Sequence, residues 1–288
     1  LTSSANRWFS LRFKEAVLNE NDEAREWLED SIDKMYLAFA RSNFQQEIFE
    51  NYHDLIAFGT SCLMVEEDEE DVIRFSARHI KEIYIEENKK GLIDNVYRKF
   101  KLTVNQAIQK FGAENLSKEI NNTYKSNPYD EVEICHIVRP RFSYDSSKQD
   151  KKNMKFQSIY FEHGTDHIIS VGGFNENVYV VSRYLKSSTE IYGRSPAMNA
   201  LPDVKVLNKM VEHGLKATAK MIDPPLLVPD DSMLAPVRMT PGSLNYYRSG
   251  SRDKIEALNI GQNTSATLNA ENARREAIAR MFHVDQLQ

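Results

Sequence analysis

Apolar positions between residues 21 and 58 recur at helical spacing: Trp27, Leu28, Ile32, Met35, Tyr36 and Phe39, then Ile48, Phe49, Tyr52, Leu55 and Ile56. Ser42 and Asn43 interrupt the series, which predicts two helices with a break between them. From residue 61 to 183 the pattern changes to short runs rich in β-branched and aromatic residues, at 62–65, 72–75, 80–85, 92–100, 132–138, 156–161, 167–171 and 178–184. Asn88-Lys-Lys-Gly91 supplies a hairpin turn between two of them. One helix is predicted among the strands, opened by Thr103 and Gln106 at capping-box spacing and closed by Gly112. Residues 144–152 are polar and lysine-rich and read as a loop.

After Ser195 the period returns to that of a helix. Gly193 suits a turn, Ser195 an N-cap and Pro196 the first helical position, while Pro224 and Pro225 cannot continue a helix. A helix from Pro196 to about Ile222 follows, with a kink at Pro202 or a break just before it. The stretch to residue 264 is rich in Pro, Gly and Ser, with short strands expected at 226–228, 237–239 and 254–258, and a second helix starts near Ala266. Helices, then strands, then helices place the chain in the α+β class. At about 100° per residue, Lys205, Lys209, Lys216 and Lys220 fall within about 60° of one another, with Glu212 on the same side. Val206, Leu207, Met210, Ala217 and Met221 cluster opposite them.

The 288 residues are 41% hydrophobic and 27% charged, ordinary values for a folded chain large enough to bury a sizeable core. A formal net charge of −5 argues against generic nucleic-acid binding held by bulk positive charge, so any DNA must meet a local patch or simply be enclosed. Cys62 and Cys135 cannot build a disulfide framework. Apolar runs are too short for a membrane span, and residue 1 opens a polar stretch unlike a signal peptide. A new chain begins with Met unless it has been processed, so the sequence from Leu1 is expected to be the core of a longer protein.

Catalytic signatures are sparse. The chain has neither the phosphate-cradling Gly-x-x-x-x-Gly-Lys-Ser/Thr loop nor a Gly-x-Ser-x-Gly elbow. The most metal-like run is Glu162-His163-Gly-Thr-Asp166-His167, which reads more simply as a turn between two strands. Strand alternation sends Cys135 and His136 to opposite faces, against joint ligation of one ion. The acidic run Glu66-Glu-Asp-Glu-Glu-Asp71 reads as a solvated connection between strands, the alternative being a divalent-cation loop. Trp8, Phe9 and Phe44 fit core packing, with base stacking as the alternative. A Mg²⁺-dependent nuclease would draw on Asp130, Glu131 and Glu133, beside which no suitably spaced lysine stands out.

Several blocks stand in order along the whole chain: Leu1-Thr-Ser-Ser-Ala-Asn-Arg-Trp-Phe9, Gly59-Thr-Ser-Cys-Leu-Met-Val-Glu66, Gly91-Leu-Ile-Asp-Asn-Val-Tyr-Arg-Lys-Phe100 with Leu102-Thr-Val-Asn-Gln106 and Phe111-Gly112, Val132-Glu-Ile-Cys-His-Ile-Val-Arg-Pro140, and Ile191-Tyr-Gly-Arg-Ser-Pro-Ala-Met running on to Ile222-Asp-Pro-Pro. Together and in this order they resemble the portal or head-to-tail connector proteins of short-tailed bacteriophages. The resemblance implies a wing domain at 1–195, a first stem helix at 196–222, a clip at 223–265, and a second stem helix with the start of a tunnel loop at 266–288. It implies no enzyme activity and no cofactor. It further implies a homo-oligomeric ring, usually of twelve copies, in the virion at one capsid vertex after assembly in the host cytoplasm. Implied partners are double-stranded DNA in the channel, a terminase ATPase, capsid or scaffold protein and tail-adaptor proteins, with no membrane. Lys205, Lys209, Lys216 and Lys220 become candidates for the channel wall, and Tyr246, Tyr247, Arg248 and Arg252 candidates for partner docking on the clip. A tail-adaptor ring protein is the alternative within the same architectural class.

Overall fold

The computed structural model describes residue 2 and residues 6–145, 147–148, 150–227, 256–257 and 264–284. Two compact units divide the chain, Leu1–Met198 and Asn199–Gln288.

The first unit opens with three helices, α1 (Ala16–Glu20), α2 (Asp22–Arg41) and α3 (Phe44–Phe58). Asn21 caps α2 by accepting from the backbone N–H groups of Glu23 and Ala24. The expected break falls at Ser42 and Asn43, and there is a structural reason for it. Asn43 accepts from the Phe75 N–H at 2.9 Å and donates to the Phe75 carbonyl at 2.8 Å, standing in for a neighbouring strand. Glu47, one turn on, accepts from the Ala77 N–H at 2.6 Å. Together they cover the edge of β2, whose backbone groups otherwise lack partners on that side. The aromatic residues near residue 8 pack together: Trp8 stacks on Phe44, Phe9 stacks on Tyr36, and Phe39 lies against Phe75.

Two antiparallel sheets follow. The three-stranded sheet has the order β2 (Val72–Arg78), β1 (Thr60–Asp68), β8 (Tyr179–Arg183). The five-stranded sheet runs β3 (Ile83–Glu87), β4 (Ile93–Thr103), β5 (Glu131–Pro140), β6 (Phe156–Glu162), β7 (Ile168–Phe174). The 88–91 turn joins β3 to β4, with the Gly91 N–H on the Asn88 carbonyl at 2.8 Å. The acidic run extends β1 as far as Asp68 before turning. The Asp68 carboxylate accepts from the N–H groups of Glu70 and Asp71, and those bonds hold its pKa below the usual value.

Between β4 and β5 lie α4 (Val104–Phe111) and α5 (Lys118–Ser126). The predicted capping box at Thr103 and Gln106 is complete, and Gly112 caps the other end. Only one helix was expected here; α5 is the addition. Its nine residues bury only Ile120, too faint an apolar signal, although Ser117 caps it through the Ile120 N–H.

Alternation along the strands sorts the core. Leu63 and Phe75 face α3 and Phe44, while Cys62 and Met64 face the five-stranded sheet. On that sheet one face serves two covers. Val96, Val138, Ile83 and Ile85 pack beneath the three-stranded sheet, and Phe100 and Ile134 pack beneath α4 and α5. Between these apolar clusters runs one register row, Arg98–His136–Tyr160. Arg98 places its guanidinium 3.9 Å from the Phe100 ring centre and bonds Glu82 at 2.9 Å. His136 stacks on Tyr160 at 3.8 Å.

The second unit holds most of α6 (Pro196–Ile222), the paired two-residue strands β9 (Leu226–Leu227) and β10 (Glu256–Ala257), and α7 (Thr264–Met281). These strands match two of the three expected in this segment; the third, at 237–239, lies outside the described residues. Pro202 neither breaks nor ends α6, which is helical throughout.

Candidate functional site

The site is built outward from the root of α6. The Ser195 hydroxyl accepts from the Met198 N–H at 2.9 Å, as an N-cap does, and donates to the Ala57 carbonyl near the end of α3 at 2.9 Å. Ser195 is fully buried. Beside it Gly59 ends α3 at φ 76°, and Gly193 donates to the Thr60 hydroxyl at 2.7 Å. The two glycines pass so closely that a Cβ on Gly193 would fall on the Gly59 carbonyl, and one on Gly59 would strike the 193–195 backbone. The Gly-x-Ser-Pro phrase is thus a joint between the end of α3, the start of β1 and the start of α6.

All four lysines read from the sequence are exposed on α6. Glu212 sits among them and accepts from Lys209 and from Lys216, each at 2.7 Å. These bonds, Lys209 first, hold the Glu212 carboxyl below its ordinary pKa. Among the described residues no carboxylate comes within ion-pairing distance of Lys205 or Lys220. The packed face is rotated from the expected one. Leu207, Met210 and Ala217 are half-buried as anticipated, but Val206 and Met221 are exposed, and Val204 and Val211 take their place. Asp203 pairs with Arg274 of α7, and Glu271 of α7 lies against Gly214. Glu271 is nearly buried and bonds Arg275 at 3.3 Å. A groove of about 790 Å³ beside this crossing is lined by His213, Gly214, Lys216, Lys220, Leu268 and Glu271 among others.

The other candidates lie apart. Tyr246, Tyr247, Arg248 and Arg252 are outside the described residues. Residues 162–167 form the turn between β6 and β7. There the Glu162 carboxylate accepts from the Ser117 N–H at 2.8 Å, and His167 Nε2 bonds the Asn115 carbonyl at 2.8 Å. His163 turns instead to the outer face of the sheet, 3.8 Å from Cys135 Sγ and 3.0 Å from Lys99 Nζ. His136 is on the opposite, buried face, as alternation requires. Glu131 pairs with Lys101 and Glu133 with Lys99, while Asp130 holds Asn127. Those lysines lie on β4, adjacent in the sheet but about thirty residues away in sequence, and the sequence reading missed them. Among the described residues no group of three or more His, Cys, Asp or Glu side chains is placed to hold a metal ion. No described helix is long and apolar enough to cross a membrane. Sequence reasoning also missed the exposed apolar row Leu201, Leu215 and Ile222, which seven-residue spacing could have revealed.

The chain matches the family described as bacteriophage head to tail connecting protein over residues 1–288, and it belongs to that family. Among its relatives, the portal protein of Salmonella phage epsilon15 is 30% identical over 291 residues, covering 99% of this chain and 52% of the relative. The probable portal protein of Bordetella phage BPP-1 is 29% identical over 296 residues, again covering 99% of this chain and 52% of the relative. The chain therefore spans about half the length of the curated relatives it matches. The resemblance to portal proteins read from the ordered sequence blocks is borne out.

Proposed function

We propose that this chain is the wing, stem and clip part of a phage portal subunit. In this reading, copies form a ring, twelve in the usual form, at one vertex of the virion capsid. The ring admits the genome during packaging, releases it on ejection, and docks the packaging ATPase and later the tail. Residues 1–195 are the wing, 196–222 and 266–288 the stem helices, and 223–265 the clip. The observation that carries the proposal is the family match over the entire chain, together with two portal relatives aligned over 99% of it.

The lysine stripe supports a channel role for α6. A conduit for DNA of any sequence needs phosphate contacts that do not read bases, because sequence-dependent grip would stall sliding. Exposed lysines, one pair of them partly neutralised by Glu212, supply weak contacts of that kind. Tyr246, Tyr247, Arg248 and Arg252 are proposed as partner contacts because aromatic residues and arginine concentrate at binding hot spots. The direct test is negative-stain microscopy and light scattering of the full-length protein. Rings across salt and protein concentration are expected, and a protein that stays monomeric under all conditions overturns the reading.

A further inference from the structure

Three cations meet around the register row Arg98–His136–Tyr160, each brought by a different element. Arg98 on β4 is only 6% exposed. Its Nε bonds Glu82, and among the described residues its two terminal nitrogens make no hydrogen bond. Arg78 ends β2 directly opposite Cys62, so it shares the face that Cys62 and Met64 turn to the five-stranded sheet. Its Nη2 lies 4.0 Å from Met64 Sδ, and its Nε is buried without a partner among the described residues. Lys110 on α4 is exposed overall, but its Nζ turns over two rings, 5.5 Å from the centre of Tyr160 and 5.7 Å from that of Phe111.

The three charges act on one another. Burial, and then Arg98, push the Arg78 pKa down. Burial likewise holds Lys110 below its usual value, with Glu66 opposing and Arg98 and Arg78 adding to the effect. Like charges gathered in a partly buried place are costly unless an anion balances them. The chain supplies little of that balance. Glu82 bonds Arg98, and among the described residues no carboxylate comes within ion-pairing distance of Arg78 or Lys110. Glu66 is felt by both but bonds neither. Packing over Phe100 accounts for the Arg98 stem; it leaves the free donors of all three cations turned to one stack of rings.

We propose that Arg78, Arg98 and Lys110 bind a small oxyanion of the phosphate class beside the His136–Tyr160 stack, with Lys110 at the mouth of the site. A tetrahedral oxyanion carries enough acceptors to meet the terminal nitrogens of Arg98, the Arg78 guanidinium and the Lys110 ammonium together. Arg98 is set too deep for the backbone of a polynucleotide, which points to a free ion. The site lies wholly within the first unit and does not depend on ring formation.

The test titrates inorganic phosphate into the full-length protein by calorimetry, beside chloride at equal ionic strength. Saturable phosphate binding with no chloride counterpart is expected. Lys110→Gln weakens it about tenfold through the loss of one charge-assisted contact, and Lys110→Arg retains it. Glu66→Gln tightens it several-fold by removing a repelling carboxylate, a gain that a damaged fold cannot mimic. Lys125→Gln, in the last turn of α5, changes nothing. The absence of saturable phosphate binding overturns the proposal, as does binding that fails to weaken in Lys110→Gln or to tighten in Glu66→Gln. Displacement of the Lys110-dependent phosphate by duplex DNA overturns the assignment to a free ion.

Discussion

His136 Nδ1 and the Tyr179 hydroxyl lie 2.7 Å apart, and through them β5 of the five-stranded sheet is bonded to β8 of the three-stranded one. The other ring nitrogen meets the Ser158 hydroxyl at 2.9 Å. Only 1% of His136 is exposed. Both nitrogens are satisfied by hydroxyls, and among the described residues no carboxylate bonds the ring. Burial, and then the nearby Lys110, Arg98 and Arg78, push its pKa down from 6.5 to about 3.

The folded value lies below the unfolded one, so the stabilisation from a neutral His136 is complete above about pH 6.5 and is lost as pH falls toward 3. A shift of this size is worth on the order of 5 kcal/mol over the whole window, and about 2 kcal/mol of it is lost by pH 5. Urea midpoints at pH 7 and pH 5 should therefore differ clearly for wild type and much less for His136→Gln. An equally steep fall in the variant would place the pH dependence elsewhere.

Gly193→Ala drives a methyl group into the Gly59 carbonyl, where backbone meets backbone and neither side can turn away. A loss of at least about 1–3 kcal/mol is expected, the usual cost of overpacking. Thermal melts of Gly193→Ala beside Gly172→Ala, where nothing lies within 4 Å, give the comparison.

Ser195→Ala removes the cap of α6 and leaves the Ala57 carbonyl without its donor. Both losses fall in a buried place, so destabilisation of about 1–2 kcal/mol is expected. Thr at this position should retain most of the stability. If the Thr and Ala variants melt alike, the hydroxyl is not the source.

Replacing Lys205, Lys209, Lys216 and Lys220 with Gln should leave rings intact, because all four side chains are exposed. DNA retention or translocation should change, and most at low salt, where screening is weakest. Packaging equal to wild type at low and physiological salt would remove these lysines from the channel wall. Loss of the ring itself would assign them to contacts between subunits.

Much of this architecture was legible because local rules and tertiary packing agree. Thr103, Gln106, Gly112 and Ser195 sit where capping chemistry places them, and the unbroken apolar run at 62–65 falls in β1, which is buried on both faces. The failures share one cause, which is that the deciding partner is remote in sequence. Lys99 and Lys101 neutralise Glu133 and Glu131 across β4 and β5, beyond the reach of a spacing argument. The packed side of α6 is set by Glu271 and Arg274, about sixty to seventy residues away, so the apolar moment of α6 alone pointed off by part of a turn. The four lysines were found because a charged stripe needs no partner to be seen.

Glu212 also divides the stripe. By holding Lys209 and Lys216 it draws the middle of the row toward neutrality, leaving at the two ends Lys205 and Lys220, which have no carboxylate within ion-pairing distance among the described residues. Those ends are fifteen residues apart, about 22 Å along α6 and more than twice the Debye length at physiological salt. If α6 lines the proposed channel, a polyanion moving along the helix would feel each end separately. It could leave one before it reached the other, so the stripe would act as two shallow wells with a gap between them, and no single deep well would form that could hold the polymer in place.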